Sequence, residues 1–527
     1  MLMNYLPAAL SPAALSPAAL SPAALSPTAL LLIVSVLCQA AVAEAKPALP
    51  RSTPEAEGVD SAGLLALVEA FESKINAVHS LMLVRHGKVV AEGWWAPYAA
   101  GDLHIMYSVS KSFTSTAIGL AQQEGLLSVN DLVLSFFPEL APANPAEQMK
   151  NMRIRDLLRM SSGHQNDMNP VIKASKDNAW IKAFLATPVE NKPGTRWVYN
   201  SACSYMLAAI VQKVSKQSLE EFCKPRLFEP LGILPPMWGK SPEGVNLGDG
   251  GLTLRTEDLA KFGLLYLQKG MWNGKRLLAE RWVEEAGSLQ TATGGNPGSN
   301  WDAGYGYQFW RNKVTGYRAD GAFGQFAFVL PKYDTVLAVT SGTGDMAGVM
   351  DAVWQYLLPA LREHALPSNP AAQRKLQSKL ASLTLPVQSG TPTAALGADV
   401  SGRKYAFETN ELGITSAGID FYGPDATVSF QDADGSHAIP CGLGHWIRSR
   451  TGFQKRISNV FDNESQGIAA SCGWADDHTF LAKLCFHETP YTISARFTFE
   501  RDKLLLDLEH NLRWGETKRP QLVGKKL

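Results

Sequence analysis

The sequence predicts an α/β fold followed by a separate β-rich domain. Three observations lead to this prediction. The chain has 527 residues, which is enough for two or three domains. Residues 50–360 alternate helix and strand signals, whereas short stretches of alternating polar and apolar residues dominate from about Val400 onward. A segment rich in proline, glycine and threonine, "TLPVQSGTPTAALG", separates these two parts.

The N-terminal 45 residues have their own composition. A five-residue unit, "PAALS", repeats from Pro7, and an apolar run from Ala29 to Val42 follows that is short for a membrane span. The run ends in "AVAEA", which offers small-residue cleavage sites, so we interpret residues 1–45 as a secretory signal. No basic residue precedes Lys46, and an uncleaved anchor or a misplaced start codon is the alternative. We expect a bacterial protein that is exported, periplasmic or secreted, without stable membrane insertion after cleavage.

Residues 46–365 form the predicted α/β domain, and its elements follow from local patterns. The stretch "LMLVRHGKVVAEGWW" predicts two strands joined at Gly87-Lys88, and "SFTSTAIGLAQQEGLL" predicts a helix closed by Gly125. The stretch "TEDLAKFGLLYLQKG" predicts a helix that ends at Gly270. Two strands follow in "GQFAFVLPKYDTVLAVTSG", and "AGVMDAVWQYLLPAL" predicts a last helix.

The remainder divides into a connector, residues 366–399, and the β-rich domain, residues 400–527. The connector has a helical stretch before the proline- and glycine-rich linker. The short alternating stretches of the last part suit a small barrel. Within it, "HAIPCGLGH" places His437, Cys441 and His445 at even spacing, with Cys472 downstream. Pro440 and two glycines favour an irregular loop over a metal site there, and we expect no metal and no organic cofactor.

The stretch "YSVSKSFTS" has the spacing of a nucleophile and its base. Ser108 and Lys111 lie three residues apart, so on a helix they share a face. A serine at the start of a helix meets the positive end of its dipole. A desolvated lysine loses pKa and can accept the serine proton. The same spacing at Ser401 and Lys404 encloses a glycine at a loop-to-strand passage, where the two side chains do not converge.

Eight segments in a fixed order carry a family resemblance, which covers about Pro54 to Leu358. The chain resembles the serine hydrolases of the group formed by class C β-lactamases, D-alanyl-D-alanine carboxypeptidases, nylon-oligomer (6-aminohexanoate-dimer) hydrolases and family VIII carboxylesterases. The segments are the strand pair ending at Trp95, "YSVSKSFTS", "IRDLLRMSSGH", "PGTRWVYNS", "EPLGI", "GDGGLTLRTEDLAKFGLLYLQKGMWNGKRLL", "GYGYQFW" and "ADGAFGQFAFVLP". The resemblance implies an antiparallel sheet flanked by helices plus an all-helical subdomain.

The resemblance also implies roles for individual residues. Ser108 is expected to be acylated, with Lys111 as its base and Tyr199 as a second base that passes the proton to the leaving group. The backbone N–H groups of Ser108 and Ala322 are expected to form the oxyanion hole. The positions expected to contact the substrate are Asn200, Ser201, Ala319 and Gly321.

Two departures from the β-lactamase pattern bear on the substrate. β-Lactamases carry asparagine two residues after the tyrosine, where this chain has Ser201, and Asn200 is displaced by one position. They also carry lysine or histidine where this chain has Ala319. Arg318 is adjacent, but neighbouring side chains on a strand face opposite ways, so we expect it to share the far face with Asp320. Both changes speak against efficient hydrolysis of penicillins.

These observations predict a serine hydrolase that cleaves an amide, peptide or ester bond through an acyl-enzyme on Ser108. The expected partner is a small-molecule or short linear peptide substrate. A formal net charge of zero gives no reason to expect nucleic acid as a partner. The alternatives are a β-lactamase or D-alanyl-D-alanine carboxypeptidase, a carboxylesterase, and a penicillin-binding sensor that is acylated without turnover.

Overall fold

A six-stranded antiparallel sheet organises the first part of the molecule, in the order β2-β1-β10-β9-β8-β7. The computed structural model describes residues 48–527 except 234–235, 424, 456 and 458–463, and the predicted signal segment lies outside the described residues. The strands of this part, in chain order, are β1 (Val78–Arg85), β2 (Lys88–Trp94), β3 (His104–Ile105), β4 (Thr253–Leu254), β5 (Met271–Trp272), β6 (Lys275–Arg276), β7 (Trp310–Arg311), β8 (Tyr317–Gly321), β9 (Gln325–Leu330) and β10 (Thr335–Ser341).

Helices cover both faces of this sheet. The α-helices of five residues or more are α1 (Ser61–Ala70), α2 (Val109–Gln123), α3 (Glu147–Asn151), α4 (Ile154–Leu158), α5 (Asn169–Lys173), α6 (Trp180–Ala186), α7 (Ser201–Ser215), α8 (Leu219–Cys223), α9 (Thr256–Leu267), α10 (Glu280–Gly287), α11 (Met346–Ala352) and α12 (Pro370–Ala381). Helices α3 to α8 form a helical lobe that shares its apolar core with one face of the sheet.

The alternation of side chains along β1 shows how the two cores are separated. Leu81 and Leu83 pack in the core formed with α1, α11 and α12. Met82 and Val84 point the other way, into the core that contains residues of α2 and α9. All eight residues of β1 are buried, as expected for a central strand covered on both faces.

The second part is a closed barrel of nine strands with one additional strand. Its strands are β11 (Lys404–Phe407), β12 (Ser416–Tyr422), β13 (Asp425–Asp432), β14 (Gly435–Leu443), β15 (Ile447–Thr451), β16 (Gln466–Trp474), β17 (Thr479–Cys485), β18 (Thr492–Glu500), β19 (Lys503–His510) and β20 (Leu522–Lys526). The ring closes where β14 pairs in parallel with β16, and β15 is the additional strand on β16. Strand β20 lies between β11 and β19.

The predicted architecture is therefore confirmed: an α/β part with a helical subdomain, then a β-barrel. The predicted hairpin is β1 and β2, and the helix predicted to end at Gly270 is α9, which is followed by that glycine in a left-handed conformation with φ 83°. The predicted domain boundaries stay a prediction. None of the helices among the described residues is long and apolar enough to cross a membrane.

The segment predicted to be a linker makes defined contacts. The Leu385 N–H donates to the carbonyl oxygen of Ala96 at 2.7 Å. Further along, Thr391 exchanges backbone hydrogen bonds with Trp474 at 2.9 and 3.0 Å. The segment is mostly irregular and ends in a short helix, Gly397–Val400, and its backbone groups are hydrogen-bonded to both parts of the molecule.

Candidate active site

The predicted nucleophile stands directly before helix α2. Ser108 occupies the N-cap position, yet its side chain makes no capping hydrogen bond, so its Oγ is available for other contacts. The preceding residue, Tyr107, has a left-handed backbone with φ 45°, which is uncommon for a bulky side chain. This turn carries the chain from strand β3 into the helix, with Ser108 at its apex.

Lys111 lies one helical turn further along and contacts the nucleophile. Its Nζ donates to Ser108 Oγ at 3.0 Å and to the carbonyl oxygen of Asp249 at 2.8 Å. The residue is only 1% exposed. Burial lowers the pKa of Lys111, while the carboxylates of Asp249 and Asp167 act in the opposite direction. The structure thus brings together a serine hydroxyl and an amine that gives up its proton more easily than usual.

Tyr199 reaches the same place from the loop before α7. Lys111 Nζ lies 5.1 Å from the centroid of its ring. The ring stacks on Trp310 with centroids 5.7 Å apart. Burial raises the pKa of the Tyr199 phenol, and a hydrogen bond with Ser108 acts in the opposite direction. The phenol therefore holds its proton firmly, unlike the amine beside it.

The end of strand β8 approaches the nucleophile closely. A Cβ placed on Gly321 would lie 2.3 Å from the carbonyl oxygen of Met106, so only glycine fits at this position. Ala322 follows it. Among the described residues, the backbone N–H groups of Ser108 and Ala322 donate to no other group. An oxyanion requires two such free N–H groups, and the role of Ser108 and Ala322 as this pair stays a prediction.

The positions predicted to contact the substrate differ in accessibility. Ser201 begins helix α7, and its N–H donates to Asp167 Oδ1 at 2.9 Å. Ala319 is fully buried in the core of the sheet, so this position presents no side chain to a ligand.

Asn200 is the N-cap of helix α7, and its contact with a substrate stays a prediction. The residue is fully buried, and its Oδ1 accepts hydrogen bonds from the N–H groups of Met168 at 3.0 Å and Ala202 at 3.2 Å. This oxygen therefore caps the helix.

Comparison with known proteins decides the family. The Beta-lactamase family profile matches residues 72–361, which is more than half of the 527-residue chain. The chain belongs to the β-lactamase family. It is a serine hydrolase of this family, as the sequence predicts.

Individual relatives of this β-lactamase-family protein are distant. A 6-aminohexanoate-dimer hydrolase of Paenarthrobacter ureafaciens is 27% identical over 335 residues, which is 59% of this chain and 83% of the relative. A provisionally named D-alanyl-D-alanine carboxypeptidase of Escherichia coli O157:H7 is 25% identical over 231 residues, or 38% of this chain. The alignment spans 53% of that relative's length, about half.

Among solved structures, an octameric penicillin-binding protein homologue from Pyrococcus abyssi aligns over 88% of this chain and 99% of its own, with a TM-score of 0.44 and 17% identity. A D-stereospecific amidohydrolase from Streptomyces aligns over 55% of this chain and 97% of its own, with a TM-score of 0.44 and 18% identity.

Arg318 faces away from the site. In the sequence it directly precedes Ala319, the position where β-lactamases carry lysine or histidine. Its Nε donates to Asp320 Oδ2 at 2.9 Å, and both side chains are buried. Trp301 Nε1 donates to the same carboxylate oxygen at 2.9 Å. The prediction that Arg318 and Asp320 share the far face of the sheet is confirmed by this ion pair, so this β-lactamase-family protein has no cation at that place.

The barrel contributes residues that sequence reasoning missed. The Tyr107 hydroxyl donates to the Tyr491 hydroxyl at 2.7 Å. The ring of Phe323, which follows Ala322, lies with its centroid 5.8 Å from that of Tyr491 and 5.1 Å from that of Trp514. Tyr491 and Trp514 lie more than 160 residues after Phe323 in the chain, and no local pattern in the sequence indicates these contacts.

The described residues contain no group of three or more His, Cys, Asp or Glu side chains that could hold a metal ion. In the candidate set singled out above, His437 Nε2 lies 2.8 Å from Asp432 Oδ1, and Cys441 and Cys472 are buried in the barrel core. His445 stays on the surface. These side chains do not converge on one point.

Proposed function

We propose that this protein hydrolyses an amide or ester bond of a short linear substrate through an acyl-enzyme on Ser108. Lys111 accepts the proton of Ser108, and Oγ attacks the substrate carbonyl carbon. The carbonyl oxygen takes the negative charge and accepts hydrogen bonds from the N–H groups of Ser108 and Ala322. The tetrahedral intermediate then expels the amine or alcohol, which takes up the proton that Lys111 removed from Ser108, and water releases the acid from Ser108 by the same steps.

One observation carries the proposal: a buried amine donates to a serine hydroxyl at 3.0 Å, at the start of a helix. A lysine removed from water in this way becomes a base at a lower pH than a surface lysine. The hydroxyl has no capping role that would compete. The contact is within the range in which proton transfer between a nucleophile and its base occurs.

The pKa shifts of Lys111 and Tyr199 have opposite directions, which supports different roles for the two residues. The pKa of Lys111 is lowered by burial and that of Tyr199 is raised by burial. We infer that Lys111 is the group that removes the proton from Ser108. Tyr199 stays protonated, and its hydroxyl donates toward the leaving group. This interpretation departs from the role of second base that the family resemblance implies.

The substrate is expected to be a linear amide or ester and not a β-lactam. Ser201 lacks the amide, and Ala319 lacks the cation, with which β-lactamases hold their substrates. A lost charge-assisted contact together with a lost neutral hydrogen bond lowers kcat/KM by about a hundredfold or more. The relative named 6-aminohexanoate-dimer hydrolase supports a linear amide as the substrate class.

A comparison of three substrates on one preparation tests the proposal. We expect 4-nitrophenyl butyrate to be hydrolysed clearly, nitrocefin poorly, and the linear dimer of 6-aminohexanoate to be the first amide to examine. Ser108→Ala should abolish turnover, whereas Ser401→Ala, in the second Ser-x-x-Lys sequence, should not change it. Wild-type activity in Ser108→Ala would refute the assignment.

The alternatives give different results in the same assay. Esters cleaved without any amide hydrolysis would favour a carboxylesterase. Nitrocefin turnover as fast as ester turnover would favour a β-lactamase. Stoichiometric labelling of Ser108 by a fluorophosphonate or a penicillin without turnover would favour a sensor.

We also propose that the protein is exported, to the periplasm or beyond. The support is the apolar run from Ala29 to Val42 and the small residues in "AVAEA". N-terminal sequencing of the mature protein should begin near Glu44 or Lys46. Protein that is found in a membrane fraction and whose sequence begins at Met1 would show that the segment is an uncleaved anchor and not a cleaved signal.

A further inference from the structure

A cavity of about 270 Å³ opens at one end of the barrel, beside the candidate active site. Its walls include Tyr491, His510, Leu512, Arg513, Trp514 and Arg519. These residues lie at the start of β18, at the end of β19 and in the segment between β19 and β20. All of them belong to the barrel, whereas the predicted catalytic residues belong to the α/β part.

Two aromatic residues connect this cavity with the nucleophile. Tyr491 lines the cavity and accepts the hydrogen bond from Tyr107, the residue before Ser108. Trp514 lines the cavity and packs against Phe323, the residue after Ala322, with ring centroids 5.1 Å apart. The cavity is therefore in contact with the side chains of Tyr107 and Phe323, which directly precede Ser108 and directly follow Ala322 in the chain.

Among the described residues that line the cavity, one cation has no partner. Arg519 is paired with Glu411. Burial and the charge of Arg513 lower the pKa of His510 to about 4, so this imidazole is neutral near pH 7. Arg513 is exposed, and among the described residues it has no hydrogen bond or ion pair. The described side chains of the wall thus present a net positive charge to a ligand that enters the cavity.

The exposed face of Trp514 is the second feature that points to a ligand. The residue is 69% exposed, although it lies beside the site and not on a remote surface. A planar apolar ring next to an unpaired guanidinium can cover a short aliphatic chain while the guanidinium binds a carboxylate through two parallel hydrogen bonds.

We propose that this cavity is a substrate subsite for an anionic end group, with Arg513 binding a carboxylate and with Trp514 and Tyr491 holding the aliphatic segment next to it. The substrate class is then a short linear amide or ester that carries a carboxylate several bonds from the scissile carbonyl. This inference rests on the proposed function, because it places the scissile carbonyl at Ser108. In this proposal, Arg513 of the barrel takes the place of the cation that β-lactamases carry at the position of Ala319.

Two matched pairs of esters test the subsite on the full-length protein. The first pair places the carboxylate on the acyl side: mono-4-nitrophenyl adipate against 4-nitrophenyl hexanoate. The second places it on the leaving group: 4-butanoyloxybenzoate against phenyl butanoate. In one of these pairs the wild-type protein should prefer the charged member. The pair that shows the preference identifies the side of the scissile bond that faces the barrel.

The variants are Arg513→Gln, Arg513→Lys and, as the control, Arg501→Gln. Arg501 is an exposed arginine in the turn between β18 and β19, at the opposite end of β18 from Tyr491. Arg513→Gln should lower the ratio of kcat/KM for the charged ester to that for the neutral ester by about tenfold, the typical effect of one charge-assisted hydrogen bond. Arg513→Lys should keep most of the ratio, and Arg501→Gln should leave it unchanged.

Binding to a protein without turnover separates this inference from the proposed function. In Ser108→Ala protein, isothermal titration calorimetry should show the preferred charged ester binding about tenfold more tightly than its neutral partner. This difference should disappear in Ser108→Ala/Arg513→Gln. Hydrolysis of both esters with no preference, or a preference that survives Arg513→Gln, overturns the subsite and leaves the proposed function standing. Absence of hydrolysis together with binding that depends on Arg513 overturns the proposed function and supports the subsite.

Discussion

At the scale of single residues, the proposed mechanism depends on the burial of Lys111. A surface lysine would be protonated at neutral pH and could not accept a proton from Ser108. Here the amine is held by the carbonyl oxygen of Asp249 and by Ser108 Oγ, with almost no access to water. The carboxylates of Asp249 and Asp167 limit how far the pKa of Lys111 falls. Burial favours the neutral amine, and the two carboxylates favour the charged one.

The pH dependence of activity tests this interpretation. If Lys111 must be neutral, kcat/KM for a neutral ester should rise with pH and level off, with an inflection below 10.5, because burial lowers the pKa of Lys111 from that value. Lys111→Arg keeps a permanent charge and should lower kcat/KM on the order of a thousandfold. The control Lys275→Arg changes an exposed lysine in β6 and should leave the profile unaltered. A flat profile in the wild-type protein would contradict the role of Lys111.

The site residues that could be predicted from spacing alone are those that lie close together in the sequence. Ser108 and Lys111 share one turn of one helix, so their spacing alone places them together. Tyr199 needed the family pattern, since 88 residues separate it from Lys111 in the sequence. The contact of Trp514 with Phe323 could not be predicted, because only the folding of the barrel brings these two residues together.

At the scale of elements, the loop between β17 and β18 supports the segment that leads to the nucleophile. Glu488 accepts a hydrogen bond from the N–H of Ile105 at 3.0 Å, and the Thr489 carbonyl oxygen accepts one from the Tyr98 hydroxyl at 2.9 Å. Tyr491 at the end of this loop holds Tyr107. A left-handed residue such as Tyr107 costs of the order of 1 kcal/mol or more, and it persists only where its surroundings fix it.

A double-mutant cycle measures this support. Tyr491→Phe and Tyr107→Phe each remove the hydrogen bond between the two hydroxyls, and each should lower kcat about fivefold, the equivalent of roughly 1 kcal/mol. The double variant should lose little more than either single variant, because the two changes remove one interaction. The control is Tyr422→Phe, on an exposed tyrosine of the barrel. Fully additive losses would show that the hydroxyls act independently.

The elements themselves were easier to predict than their contacts. Alternating apolar residues identify β1, and helical spacing with a terminal glycine identifies α9. The composition of the segment from residue 384 to 398 predicts a linker, but it gives no sign of the hydrogen bonds that fix this segment. Its partners, Ala96 and Trp474, lie 289 and 83 residues away from the residues they bind, beyond the range of any local pattern.

At the scale of the whole molecule, polar side chains cross between the α/β part and the barrel. Arg448 and His487 of the barrel both contact the carboxylate of Asp102. Close to them, His79 Nδ1 lies 3.1 Å from His104 Nε2 in a fully buried pair. Residues 49–527 form one compact unit, which is consistent with an interface of this kind.

The buried histidine pair makes a prediction about stability. Burial lowers the pKa of His104 from 6.5 to about 4, so the unfolded chain binds a proton on acidification before the folded protein does. Between pH 7 and pH 5, His104 should therefore lower the free energy of unfolding by about 2 kcal/mol.

Urea denaturation at pH 7 and pH 5 checks this value. From pH 7 to pH 5, the free energy of unfolding should fall by about 2 kcal/mol less in His104→Gln than in the wild-type protein. His478→Gln, on an exposed turn, should behave like the wild-type protein. An equal loss in all three proteins would contradict the prediction.

The position of β20 between β11 and β19 has a consequence for the timing of synthesis. The barrel cannot close until residues 522–526 have left the ribosome, and the hydroxyl that holds Tyr107 comes 384 residues after it in the chain. A nascent chain can contain Ser108, Lys111 and Tyr199 before it contains Tyr491, whose hydroxyl holds that of Tyr107. We therefore expect hydrolytic competence to appear late, so that the cell producing this enzyme meets little of its activity before the chain is complete.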